Sequence, residues 1–71
     1  MDKTEARKRI EELVGRIDVI KAEIRRAQAT ALQYASLNDA VPAREAEQDV
    51  ERLASRLRNL EGNLIALKKF W

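Results

Sequence analysis

The sequence predicts an all-α protein, an antiparallel two-helix coiled-coil hairpin that can dimerise into a four-helix bundle. Three observations lead there. Two long stretches carry apolar residues at alternating steps of three and four, the period of a coiled-coil seam. A short segment with the only proline, Pro42, and the pair Asn38-Asp39 separates them. The two seams also match each other when one is read backwards.

The first helix is expected over about residues 3–36, where nearly every residue is a good or neutral helix former. Asp2 followed by Glu5 has the spacing of a capping box, in which the first side chain accepts a hydrogen bond from a free N–H of the first turn. The seam of this helix reads Ala6, Ile10, Leu13, Ile17, Ile20, Ile24, Ala27, Ala31 and Tyr34 without a missed step.

A turn is expected over about residues 37–41, because Asn and Asp tolerate the backbone conformations of tight reversals. The second helix then covers about residues 42–70, with Pro42 in its first turn, where the missing N–H costs nothing. Its seam reads Ala43, Ala46, Val50, Leu53, Leu57, Leu60, Leu64, Leu67 and Trp71. Residues 1–71 therefore form one hairpin domain.

In an antiparallel pair each a position stacks on a d position of the partner helix. Assigning a and d from the step pattern pairs Ala6 with Trp71, Ile10 with Leu67, Leu13 with Leu64, Ile17 with Leu60, Ile20 with Leu57 and Ile24 with Leu53. The series continues with Ala27 on Val50, Ala31 on Ala46 and Tyr34 on Ala43, and the residue numbers of every pair have the same total. Half of that total falls between Asn38 and Asp39, where turn chemistry independently places the reversal. Aliphatic pairs fill the open half, and alanines line the half near the turn, where the helices can approach more closely. Trp71 is expected to complete the last layer over Ala6.

Composition narrows the function. At 71 residues a single core is marginal unless helix packing is regular or the chain self-associates. Without Cys or His the chain lacks disulfides, thiolate ligands, the usual general base and the commonest metal ligand. The 14 Lys and Arg are interspersed with 12 Asp and Glu, which describes a salt-bridged surface better than a nucleic-acid-binding arm. No apolar run has the length of a membrane span, and charges interrupt the N-terminal stretch where a secretory signal needs apolar residues, so a cytoplasmic location is expected. Ser36 and Ser55 have no base to activate them. The expectation is a chain that is not an enzyme, with no catalytic residues, no cofactor, no metal and no small-molecule substrate.

Candidate surfaces lie off the seam. Val14, Val19, Leu32, Leu37, Val41, Ile65 and Phe70 are large apolar residues outside the a/d pattern. Single exposed apolar residues are ordinary, so alone they decide little. Gly15, Ala22, Ala29 and Ser36 recur at heptad spacing on the outer face of the first helix, and Ser55, Gly62 and Ala66 form a small-residue strip on the second. Glycine costs a helix interior about 1 kcal/mol relative to alanine, and Gly15 and Gly62 fall at the same level of the hairpin. Close approach of a partner helix is one reason for them; tolerated surface positions in a strong helix are the other. The partner surface drawn from these residues is Gly15, Val19, Ala22, Ala29, Leu32, Ser55, Gly62, Ile65, Ala66 and Phe70. A basic patch of Arg26, Arg52 and Arg56 is the alternative site, but Glu23 sits within it and no aromatic platform accompanies it.

Two local resemblances accompany this reading. The run Arg16-Ile17-Asp18-Val19-Ile20 with Ala22-Glu23-Ile24 resembles the first helix of the all-helical chorismate mutases, but Val14 stands where that family's substrate-binding arginine falls, so no activity carries over. Leu60-Glu61-Gly62 with Leu64 and Leu67 is similar to the second-helix ending of the small hairpin chaperones of type III secretion needle subunits, which implies a needle-subunit chaperone as one function.

The leading expectation is a non-catalytic protein-interaction module: a chaperone, adaptor, inhibitor or assembly factor that binds another protein or itself as a homodimer. A dimeric RNA-binding hairpin of the plasmid copy-control type and an engineered scaffold without a natural partner are the alternatives.

Overall fold

A computed structural model describes residues 1–70 as an all-α hairpin. Helix α1 spans Lys3–Ser36, helix α2 spans Ala40–Leu67, and a short 3-10 turn, η1, covers Lys68–Phe70. The 34 residues of α1 rise by about 1.5 Å each, roughly 50 Å in all, which accounts for a longest dimension of 53 Å. A single continuous rod of this chain would be about twice as long. The remaining dimensions are 14 and 10 Å, so the molecule is two helices lying side by side.

Chemistry local to the sequence sets each helix end. Asp2 caps α1 from an extended backbone: the Glu5 N–H donates to Asp2 Oδ1 at 2.8 Å, and the Ala6 N–H donates to the Asp2 carbonyl at 3.0 Å. At the other end Asn38 adopts a left-handed backbone with φ of 58°. That conformation turns the chain so that the Asn38 N–H donates to the Ala35 carbonyl at 3.1 Å and the Asp39 N–H to the Tyr34 carbonyl at 2.9 Å. These two bonds make a Schellman closure, with asparagine in the place glycine usually takes.

The second helix begins two residues ahead of the start expected at Pro42, and the turn is correspondingly shorter, Leu37 to Asp39 rather than 37–41. The reason is the donor inventory of a helix start. The first four N–H groups have no intrahelical partner, so proline fits at the third position as well as at the first. The far end also differs from the expectation of a helix to about residue 70, since the α-helical ladder stops at Leu67 and tightens into η1. Trp71 lies outside the described residues, and with it the expected layer over Ala6.

Burial follows the seam. Ala6, Ile10, Ile17, Ile20, Ala31, Ala43 and Ala46 are buried, and Leu13, Ile24, Ala27, Tyr34, Val50, Leu53, Leu57, Leu60, Leu64 and Leu67 are half-buried. Off the seam only Ala22, Pro42 and Ala54 share that half-buried state; every other described residue is exposed. No polar side chain is buried among the described residues, and half-buried Tyr34 brings a hydroxyl to the turn end of an otherwise aliphatic seam.

The two sides of the seam are not equal. Isoleucine branches at Cβ, close to its own backbone, so Ile17 and Ile20 sit under the facing helix at 6% exposure each. Leucine branches one carbon further out, and the leucines of α2 keep their outer edges in solvent. Near the turn the small side chains of Ala31, Ala43 and Ala46 are buried as well.

Candidate functional site

A two-helix seam has two open flanks, and the heptad assigns residues to each. Positions c and g of both helices border one flank, and positions b and e border the other. On the first flank Glu12, Gly15, Arg16, Val19, Ile20, Glu23, Arg56 and Leu60 enclose a shallow groove of about 600 Å³. A second groove, lined by Arg9, Glu12, Leu13, Arg16 and Leu67, shares Glu12 and Arg16 with it and extends it toward the open end. The floor consists of seam residues at d positions: Leu13, Leu60 and Leu67 are half-buried and keep outer edges in solvent, while Ile20 is buried at 6% exposure. The rim alternates in charge.

On the opposite flank Leu32 lies with Gln28, Ala31, Glu47, Val50 and Glu51 around a groove near the turn. Leu32 is 72% exposed, and Ile65, further along the same flank, is 66% exposed. Val14 borders this side as well. Val19, 58% exposed, belongs to the first flank, while Leu37 lies in the turn and Phe70 in η1, both exposed and beyond the α-helical register.

The expected partner surface is therefore distributed over several faces of the rod. Gly15 and Val19 meet in one groove, and Leu32 lies in another. Ala22, Ala29 and Ser55 point outward at f positions; Ala22 is half-buried, and Ala29, Ser55 and Ala66 are exposed. Gly15 and Gly62 share a level but lie on the backs of different helices, which face in opposite directions, so one partner helix meets one strip at a time. A Cβ built on either glycine would have nothing within 4 Å. Packing inside the hairpin does not require glycine at either position.

The basic patch is partly engaged within its own helix. Arg52 Nη2 lies 2.9 Å from Asp49 Oδ1, one turn away, with side chains 77% and 54% exposed. Arg56 lines the groove opposite Glu23. Arg26 supplies its backbone carbonyl to the Thr30 hydroxyl, which donates to it at 3.0 Å. On the other side of the hairpin Arg58 Nη2 donates to Ser55 Oγ at 3.1 Å.

Reading the sequence for off-seam apolar residues missed Glu12, Arg16, Gln28, Glu47 and Glu51, the polar rims of these grooves. Their signal was available in the c, g, b and e positions beside exposed seam residues. Among the described residues no group of three or more His, Cys, Asp or Glu is arranged to hold a metal ion, and no helix is long and apolar enough to cross a membrane. Comparisons with family models, with curated proteins and with solved structures found no match to this chain.

Proposed function

We propose that this hairpin is a non-catalytic protein-interaction module that receives an apolar helix or extended segment of another protein along the flank carrying Leu32 and Ile65. The observation behind this reading is the exposure of Leu32 beside an apolar groove whose floor is Ala31 and Val50, with Ile65 exposed further along the same flank. Docking of a helix face into such a groove is a common recognition mode, with anchors of this kind supplying most of the binding energy. The acidic rim of Glu47 and Glu51 favours a partner segment with lysine or arginine beside its apolar anchors. A chaperone, adaptor or inhibitor of a larger assembly, working in the cytoplasm, is the role such a module fits.

The test is quantitative affinity capture from the native source with the intact chain and with Leu32→Glu and Ile65→Glu variants, in low and high salt. The expected result is a partner retained by the intact chain in both salts and lost from both variants. Retention by both variants refutes the assigned flank. Capture of RNA that weakens steeply with salt and with replacement of Arg52 and Arg56 refutes the protein-binding reading in favour of a structured-RNA binder.

A further inference from the structure

The flank opposite Leu32 supports a different inference, independent of the partner proposed above. The hairpin exposes 5608 Å². A compact folded chain of 8.1 kDa exposes about 4,500 Å², so the elongated hairpin carries roughly 1,100 Å² more than a compact chain of its mass. A stable interface between two proteins buries about 800 Å² on each side, and permanent dimers bury more. The elongated hairpin therefore has enough surface beyond that of a compact chain to supply one side of such an interface.

Where the second rod lies follows from the floor and rim of the groove. Ile20 and Leu60 are core residues of the hairpin, yet both also line the groove. The rim around them carries two acids, Glu12 and Glu23, and two bases, Arg16 and Arg56. An interface of a chain with itself pairs residue i with j and j with i, so it needs both signs on one patch.

We infer that the flank carrying the Ile20–Leu60 groove closes on a second copy of this chain, the two hairpins lying side by side with their turns at the same end to make a four-helix bundle. A two-fold axis along the rods stacks α1 of one copy on α2 of the other and keeps every level of the hairpin aligned. The g positions within the two α-helices then meet as Glu23 with Arg56, Arg16 with Asn63 and Thr30 with Asp49, and each meeting occurs twice. The first is an ion pair between opposite charges, and the other two are polar contacts without like charges. Turning one hairpin end for end about the level of Glu23 would instead set Glu23 on Glu23 and Arg56 on Arg56. Like-charge contacts of that kind disfavour the antiparallel arrangement.

The experiment uses the full chain and two charge reversals, Glu23→Arg and Arg56→Glu, at exposed positions where the hairpin itself makes no buried contact. Sedimentation equilibrium of the unmodified chain across a concentration series should approach twice the 8.1 kDa mass. Each reversed chain alone gathers four like charges at the centre of the bundle, and its dimer dissociation constant should rise by at least about tenfold. Mixed in equal amounts the two should return to within about threefold of the original constant, because each then supplies the sign the other lacks. Effects confined within one hairpin predict no such rescue, since neither chain regains an opposite charge of its own. Circular dichroism of each reversed chain confirms that its helices persist. Should either reversed chain lose helix content, Val19→Glu takes its place on the same flank and should weaken the dimer equally, while Leu32→Glu on the other flank leaves it intact. A mass that stays at 8.1 kDa throughout, a mixture no tighter than its components, or a dimer insensitive to both reversals and to Val19→Glu overturns the inference.

Discussion

The Asp39 N–H reaches back over Asn38 to the Tyr34 carbonyl at 2.9 Å, and with the Asn38 N–H on the Ala35 carbonyl it closes the turn. It forms only because Asn38 holds φ at 58°, a region in which residues with a Cβ pay a steric cost of about 1–2 kcal/mol and asparagine somewhat less. Asn38→Gly should therefore raise stability by about 0.5–1 kcal/mol, and Asn38→Val should lower it by about 1–2 kcal/mol, measured by urea unfolding followed by circular dichroism. Equal midpoints for all three chains would mean that the left-handed residue is not what closes the turn.

Gly15 and Gly62 should behave in the opposite sense from most glycines at helix contacts. Both sit inside helices with open space around a hypothetical Cβ, so alanine gains helix propensity and meets no obstacle. Each Gly→Ala substitution should stabilise the hairpin by up to about 1 kcal/mol. The double variant should show the sum, because the two sites are on the backs of different helices and share no neighbours. A destabilising result at either position would place a contact there that the isolated hairpin lacks.

The ion pair of Arg52 and Asp49 should contribute little despite its 2.9 Å geometry. Both side chains are mostly in solvent and one turn apart, a setting in which such pairs yield about 0.2–0.5 kcal/mol. Arg52→Ala should move the unfolding midpoint by no more than that, and the difference should shrink in high salt. A loss above about 1 kcal/mol would require a role for the arginine beyond this pair.

The seam and the bend were legible because both rest on rules that act within a few residues. A missed step in the Ile10 to Leu67 series would have moved a charge into the interface, and Asn38 is one of the few residues that enters the left-handed region readily. The start of α2 was less legible. Proline permits any position in the first turn, so Pro42 bounds the helix start without fixing it. The flanking grooves could not be read from apolar residues alone. Whether Leu60 or Ile20 is covered depends on how far each side chain reaches past its partner, a property of packed pairs rather than of single positions.

That difference in reach gives a last expectation, for the pair Ile17 and Leu60. Ile17 is covered by its own hairpin at 6% exposure, so Ile17→Ala should cost about 2–4 kcal/mol whatever the protein concentration. Leu60 is half-buried and lines the open groove, so within one hairpin its truncation removes fewer contacts and should cost less. If a second copy covers the groove, the missing atoms of Leu60→Ala are felt again at the interface, and the gap between the two variants should narrow as concentration rises. Thermal unfolding at low and high protein concentration measures that gap directly. A gap that stays constant while the unmodified chain dimerises would place the second copy on some other face of the rod.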